Sequence, residues 1–407
     1  MKIIAFENGN IDEDTFSGGE RIAINLLKRW CEKKEISEVV VYCTDSITKS
    51  WARYDIGKIK LIRFLPNLSK SLFLEYGFRC IIGTIKAFFL KLDKSEKYII
   101  YLTSDFWPNL LPSLVIKYRL NGKSFFIGSQ YLYPPSPLKG FRGTNVNNYF
   151  QIPRFKDIVY FLTNRIGLNI IIKISNYIFI TSTPDKILIT RKKFSPKKII
   201  IIKGGVDKVI LKSRKYKEIE NLKYDALFVG RLHPQKGVIE LIETWNILIN
   251  QMNKKYLLII IGNGELEKQI HQNIIKYNLQ SFVLLKGYKD GEEKYQIFTQ
   301  SKIFIHPAVY DSGGMAAAEA MGFGLPVVGY NLEAFKTYYP KGMLKVEKIG
   351  NPYNLADAII KVLSNPKIYN KLSKEALTLA KKEWLWEDRI SPIIDTIQNK
   401  LNQTYSV

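Results

Sequence analysis

Short runs of branched and aromatic residues recur along this chain, and helical stretches separate them. Lys2 to Phe6, Val39 to Cys43, Lys97 to Leu102, Phe125 to Gly128, Tyr177 to Thr181 and the run from Ile199 read as strands of the first half, with a helix over Glu20 to Glu32. Tyr224 to Val229, Leu257 to Ile261, Val283 to Leu285, Lys302 to His306 and Leu325 to Val328 read as strands of the second. Strands that alternate with helices pair in parallel and carry helices on both faces, so the fold class is α/β. At 407 residues the chain exceeds one ordinary core, and two domains are expected. The charged, low-complexity run Lys208 to Lys223 has the composition of a linker, which sets the expected domains at 1–207 and 208–385 with a closing segment over 386–407. Ala376 to Ile397 reads as helix broken around Ser391-Pro392.

Composition excludes several classes. With 46% hydrophobic and 24% charged residues the chain is a folded globular protein. The opening Met-Lys-Ile-Ile-Ala-Phe-Glu has four apolar residues before an acid, which reads as a first strand and not as a secretion signal. No stretch has the roughly 18 uncharged apolar residues of a membrane span. Cys31, Cys43 and Cys80 lack metal-ligand spacing and suit buried free thiols, so a cytoplasmic location is expected. Net charge is +24, and residues 51–200 hold 25 Lys and Arg against 7 Asp and Glu, a net +18. Within that segment basic residues thread apolar helical stretches, Phe73 to Lys91 and Ile152 to Ile180. The pattern reads either as an anionic membrane surface contact or as core helices with solvated lysines. Without any familiar nucleic-acid signature, a nucleic-acid partner is not expected.

The most informative motif runs from His306 to Val328. Asp311 or Ser312 is placed to cap a helix whose first turn holds Gly313 and Gly314, leaving backbone N–H groups for a phosphate. Met315 to Met321 is strongly helix-forming, and Glu319 within it is an acceptor suited to a ribose diol. The alternative is a plain Ala-rich helix with glycine caps. Gly230-Arg231 to Lys236-Gly237 follows a strand, where open parallel sheets bind ligands. There Arg231 and Lys236 read either as a diphosphate clamp or as solvated cations. Gly262 and Gly264, with Tyr288, stand after two further strands, where lining a nucleotide base and packing are both open.

In the first half, Ser17, Gly18 and Gly19 open a helix and offer a second phosphate-facing loop. Asp12-Glu-Asp14 has a D-x-D pattern but no third ligand, and reads as a solvated turn; no metal is expected. No Ser/His/Asp set, zinc spacing or P-loop lysine appears. Chemistry must then come from positioning and charge.

These motifs together resemble those of glycosyltransferase family 4, most specifically in Gly230-Arg231 to Lys236-Gly237 and in the Asp311 to Glu319 pair followed by Ala-Met-Gly-Phe-Gly-Leu-Pro-Val-Val328. Ser17 to Gly19, the Gly204-Gly205-Val206-Asp207 turn and Trp386 are weaker matches. The resemblance implies the GT-B fold, two Rossmann-like parallel-sheet domains facing across a cleft, with the last helix crossing back onto the first domain. It implies retaining, metal-independent transfer of a hexose from a nucleotide diphosphate-sugar, a co-substrate and not a cofactor. Arg231 and Lys236 would stabilise the diphosphate, Glu319 would hold the ribose, and Asp311, replacing the family's first glutamate, would line the sugar with Ser312, Gly313, Gly314 and Met315. Ser129 and Gln130 occupy the region where relatives place a histidine. The basic, aromatic first domain favours a lipid-phosphate-linked acceptor, a lipid-linked glycan or glycolipid, at the inner face of the cell membrane. The alternatives are a soluble enzyme acting on a small saccharide and a nucleotide-binding regulator with a decayed site.

Overall fold

The computed structural model describes residues 1–9, 17–67, 71–141, 150–212 and 222–405. Asp12 to Asp14 lie outside them. The chain divides into two compact units: Met1–Pro134 with Phe155–Ile202 and Glu387–Val407, and Pro135–Arg154 with Lys203–Trp386. These limits differ from 207 and 385 by assigning 135–154, 203–207 and Trp386 to the second unit.

In the first unit the strands are β1 Lys2–Glu7, β2 Glu38–Thr44, β3 Lys60–Leu65, β4 Tyr98–Leu102, β5 Ser124–Gln130, β6 Tyr177–Ile180 and β7 Ile199–Ile201. Its helices are α1 Gly18–Trp30, α2 Asp45–Trp51, α3 Leu72–Phe89, α4 Trp107–Arg119, α5 Phe155–Ile174 and α6 Thr183–Arg191. The strands form one parallel sheet in the order β3-β2-β1-β4-β5-β6-β7. Its central strands are buried throughout, as the unbroken apolar runs of a helix-covered parallel sheet require. Helix α1 begins where the serine-glycine pattern places it, through a capping box in which Ser17 Oγ accepts from Glu20 N at 3.2 Å and Glu20 Oε2 accepts from Ser17 N at 2.8 Å.

The second unit opens with α7 Lys208–Lys212, followed by β8 Tyr224–Val229, α8 Val238–Asn246, β9 Leu258–Ile261, α9 Glu267–Lys276, β10 Val283–Leu285 and α10 Gly291–Thr299. It continues with β11 Ser301–His306, α11 Met315–Gly322, β12 Val327–Tyr330, α12 Glu333–Tyr338, β13 Met343–Val346, α13 Pro352–Leu363 and α14 Pro366–Glu383. The last helix, α15 Trp386–Tyr405, falls almost wholly in the first unit. The second sheet is parallel in the order β10-β9-β8-β11-β12-β13, so its strand order reverses between β8 and β11.

Two readings of the sequence need correction. The start of the expected linker is helical, and Ile210 is buried in the second core against Gly322. The break near the C-terminus lies at Trp384-Leu385 and not at Ser391-Pro392. There the backbone leaves the helix to pair with Val206, which donates to Trp384 O at 2.6 Å and accepts from Trp386 N at 3.3 Å. Pro392 is carried inside α15. Cys31, Cys43 and Cys80 are free thiols, with Cys43 buried and the others half-buried.

Candidate functional site

The reversal of strand order places the loops after β8 and β11 side by side at the carboxyl edge of the second sheet, the position where an open parallel sheet forms a crevice. Backbone bonds join them: Gln235 O accepts from Val309 N at 3.1 Å and from Tyr310 N at 3.3 Å. Gly237 makes this approach possible. Its φ is +64°, and a Cβ there would stand 1.9 Å from Pro307 O.

The joined loops bring Lys236 onto Asp311, Nζ to Oδ2 at 2.5 Å. The other oxygen of Asp311 accepts from the backbone N–H groups of Ser312 (2.8 Å), Gly313 (3.3 Å) and Gly314 (3.3 Å). Burial alone would raise this carboxyl, but the Lys236 ammonium outweighs it and holds it well below the usual carboxylate range. His306 ends β11 with Nε2 at 3.3 Å from Asp311 Oδ2, off the alignment of a hydrogen bond. Burial lowers its imidazole below the ordinary value against the pull of Asp311, so the ring is neutral near pH 7.

The glycine pair lies ahead of the helix and not in its first turn. Gly314, at φ +59°, is the N-cap of α11, whose first turn starts at Met315. Asp311 takes the N–H groups of 312 to 314, and Tyr339 Oη donates toward the Gly313 and Gly314 carbonyls at 2.9 and 2.6 Å. The anion-facing donors of this terminus are therefore those of Met315 and Ala316, two residues later than expected.

Glu319, four residues past Met315, is buried and faces Lys294 of α10, Oε2 to Nζ at 3.1 Å. Lys294 is buried too and reaches Asp290 Oδ1 at 2.8 Å, while Tyr288 Oη donates to Asp290 Oδ2 at 3.3 Å. The structure thus brings Tyr288 and Glu319 into one polar chain through Asp290 and Lys294. Sequence reasoning missed both linking residues, and also His306. In Gly291-Glu-Glu-Lys-Tyr295 a lysine beside two acids looks solvated, and nothing local signals its burial.

Arg231 is exposed and its side chain has no ion-pair partner among the described residues. Gly262 and Gly264 serve loop packing: a Cβ at either would meet Gly230 O at 1.9 Å or Leu232 O at 2.5 Å. Gly204 packs on Met315 and Gly205 on the Trp386 indole, which gives the weaker Gly204-Gly205 and Trp386 matches a common place beside the start of α11.

The remaining expected residues belong to the first unit. Gly18 and Gly19 begin α1, where Gly19 packs close to Tyr131. Ser129 and Gln130 are buried at the end of β5, and Gln130 Nε2 donates to Leu132 O at 2.8 Å and to Asp105 Oδ2 at 3.4 Å. Asn164 donates to the same Asp105 oxygen at 2.5 Å. Burial pushes Asp105 up to about 6 against these hydrogen bonds. Among the described residues no group of His, Cys, Asp and Glu has the arrangement of a metal site.

Residues 210–378 match the family described as glycosyl transferases group 1. The chain is 27% identical over 238 residues, 57% of its length, to the uncharacterized glycosyltransferase MJ1069 of Methanocaldococcus jannaschii, of which the match spans 60%. Over 193 residues it is 28% identical to the UDP-Gal:alpha-D-GlcNAc-diphosphoundecaprenol alpha-1,3-galactosyltransferase of Escherichia coli, covering 44% of this chain and 48% of that one. In structure it is similar to HepE of Anabaena in complex with UDP and glucose, with a TM-score of 0.71 at 14% identity over 98% of this chain and 99% of the other. The two Rossmann-like parallel-sheet units are those of the GT-B fold.

Proposed function

We propose, from the match of residues 210–378 to the glycosyl transferases group 1 family and from the geometry of the site, that the chain transfers a hexose from a nucleotide diphosphate-sugar to an acceptor hydroxyl, with retention of configuration and without a metal. The observation that carries this reading is the meeting of Lys236, Asp311 and the start of α11 at the strand-order reversal of the second sheet. A diphosphate there faces the Lys236 ammonium, the exposed Arg231 fork and the N–H groups of Met315 and Ala316 at the start of α11. Glu319, oriented by Lys294, accepts from the ribose hydroxyls. The glycosidic bond to the diphosphate breaks as Lys236 and Arg231 stabilise the charge gathering on the leaving oxygen. An acceptor hydroxyl attacks from the same face and loses its proton to the departing phosphate. Asp311 acts mainly on Lys236 and on the glycine turn, since both of its oxygens already have partners within the protein.

For the acceptor we propose a lipid-linked glycan or glycolipid at the cytoplasmic membrane face. Two facts support it: the basic 51–200 segment, and a relative whose name places its acceptor on diphosphoundecaprenol. No helix among the described residues is long and apolar enough to cross a membrane, so contact would be peripheral. The test is transfer from a panel of radiolabelled UDP-, GDP- and ADP-sugars to a lipid extract. Glu319→Ala should abolish transfer while circular dichroism stays that of the parent. Transfer undiminished in that variant would remove this site from the reaction. Nucleotide binding without turnover by any donor would favour a decayed regulator.

A further inference from the structure

Helix α3 is inside out. Its inward stripe is Glu75, Arg79, Gly83 and Ala87, spaced four apart, and the first two form an ion pair at 2.7 Å with side chains only 2% exposed. Its outward stripe is Phe73, Phe78, Ile81, Ile85 and Phe88, between 41% and 66% exposed. A surface helix of a globular protein has the reverse polarity. Helix α5 buries Asn164 and Gly167 together with Leu168 and Ile171, and on its other side Phe155, Ile158, Leu162 and Ile166 stand between 37% and 72% exposed, so it too is apolar on its outward face. The Phe73 and Phe155 rings, 6.4 Å apart, join the two stripes at their N-terminal ends, and α4 packs against both helices. Arg79 donates to Asn8 O and to Asn67 Oδ1, so the joined end lies at the carboxyl edge of the first sheet, beyond β1 and β3.

The charges beside these stripes identify what covers them. Lys86, Lys156, Arg165 and Lys173 are the exposed cations on the two helices, and Arg165 lies over the Phe161 ring at 4.3 Å, among the apolar side chains. A second copy packed on the same face by two-fold symmetry would set these cations against their equivalents. An anionic bilayer accepts the apolar stripes and the cations together.

We propose that the outward faces of α3 and α5 form one surface that inserts into the headgroup and acyl boundary of an anionic membrane, with its leading end at the sheet edge where an acceptor headgroup would arrive. Insertion of apolar side chains, and not charge attraction alone, holds the protein there. The inference rests on the reading of the acceptor as membrane-borne.

Sedimentation of the full chain with phosphatidylglycerol/phosphatidylcholine vesicles, at low and at high salt, tests it. The parent should bind and should keep part of its binding at high salt. The triple variant Phe78→Ser, Ile81→Ser, Ile85→Ser, altered only at exposed positions, should lose about tenfold or more in vesicle affinity while its thermal response to UDP matches the parent's. Equal vesicle binding by parent and variant, binding abolished by salt alone, or a parental dimer that the triple variant dissociates would overturn the proposal. Vesicle binding without any nucleoside diphosphate response in the parent would instead remove the glycosyltransferase reading and leave the membrane surface standing.

Discussion

Asp311 and Glu7 are buried carboxyls with opposite behaviour, because one faces cations and the other does not. Asp311 is held well below the usual range, so the stability it contributes is in place above about pH 4 and is lost only as pH falls through its lowered folded value. Glu7, at the end of β1, is pushed up to about 8, by burial first and then by Glu20, against contacts with Thr103 and Asn109. Its raised value has the other sign: the contribution is complete below the unfolded value of 4.5 and declines as pH rises through about 8. Glu7→Gln should therefore melt several degrees above the parent near pH 8.5, with the gap closing by about pH 5. A gap independent of pH would show that Glu7 is ionised throughout.

At the scale of elements, the site depends on how two loops and two helices are locked. Gly237→Ala places a Cβ against Pro307 O at a left-handed backbone position. It should cost at least about 2 kcal/mol, and because Lys236 is the adjacent residue, nucleotide affinity should fall with it. Denaturant unfolding and calorimetric titration of the same variant check both parts. Lys294→Met leaves Glu319 buried without its cation and should cost about 3 kcal/mol. Adding Glu319→Leu should restore most of that stability but no nucleotide binding. A double variant as unstable as the single one would contradict the pairing.

The central strands, the Gly230 to Gly237 loop and the Asp311 to Glu319 segment were legible in the sequence, since buried parallel strands are unbroken apolar runs and glycines mark close approaches. Edge strands β3 and β13 were not, because Lys60, Arg63 and Lys345 interrupt them. Lys294 and His306 were missed for a different reason. The partner of Lys294, Glu319, is supplied by another helix, and His306 meets Asp311 only because the loop between them folds back, which local composition does not signal.

At the scale of the whole molecule, the chain holds two parallel sheets in separate compact units, and Arg231, Lys236, Asp311, Glu319 and the start of α11 all lie in the second. Ligand binding stabilises the unit that holds it by mass action, about 2.7 kcal/mol at a hundredfold excess over Kd. Differential scanning calorimetry should then show UDP or another nucleoside diphosphate raising the transition that Gly237→Ala lowers, and leaving the one that Glu7→Gln alters. The most direct measurement is calorimetric titration of UDP, GDP and ADP into the parent, Arg231→Ala and Lys236→Met. One nucleoside diphosphate should bind the parent, and each variant should weaken it about tenfold or more with the far-ultraviolet circular dichroism of the parent. Binding by none of the three, or binding indifferent to both cations, would contradict the assignment of this site to a nucleotide diphosphate-sugar.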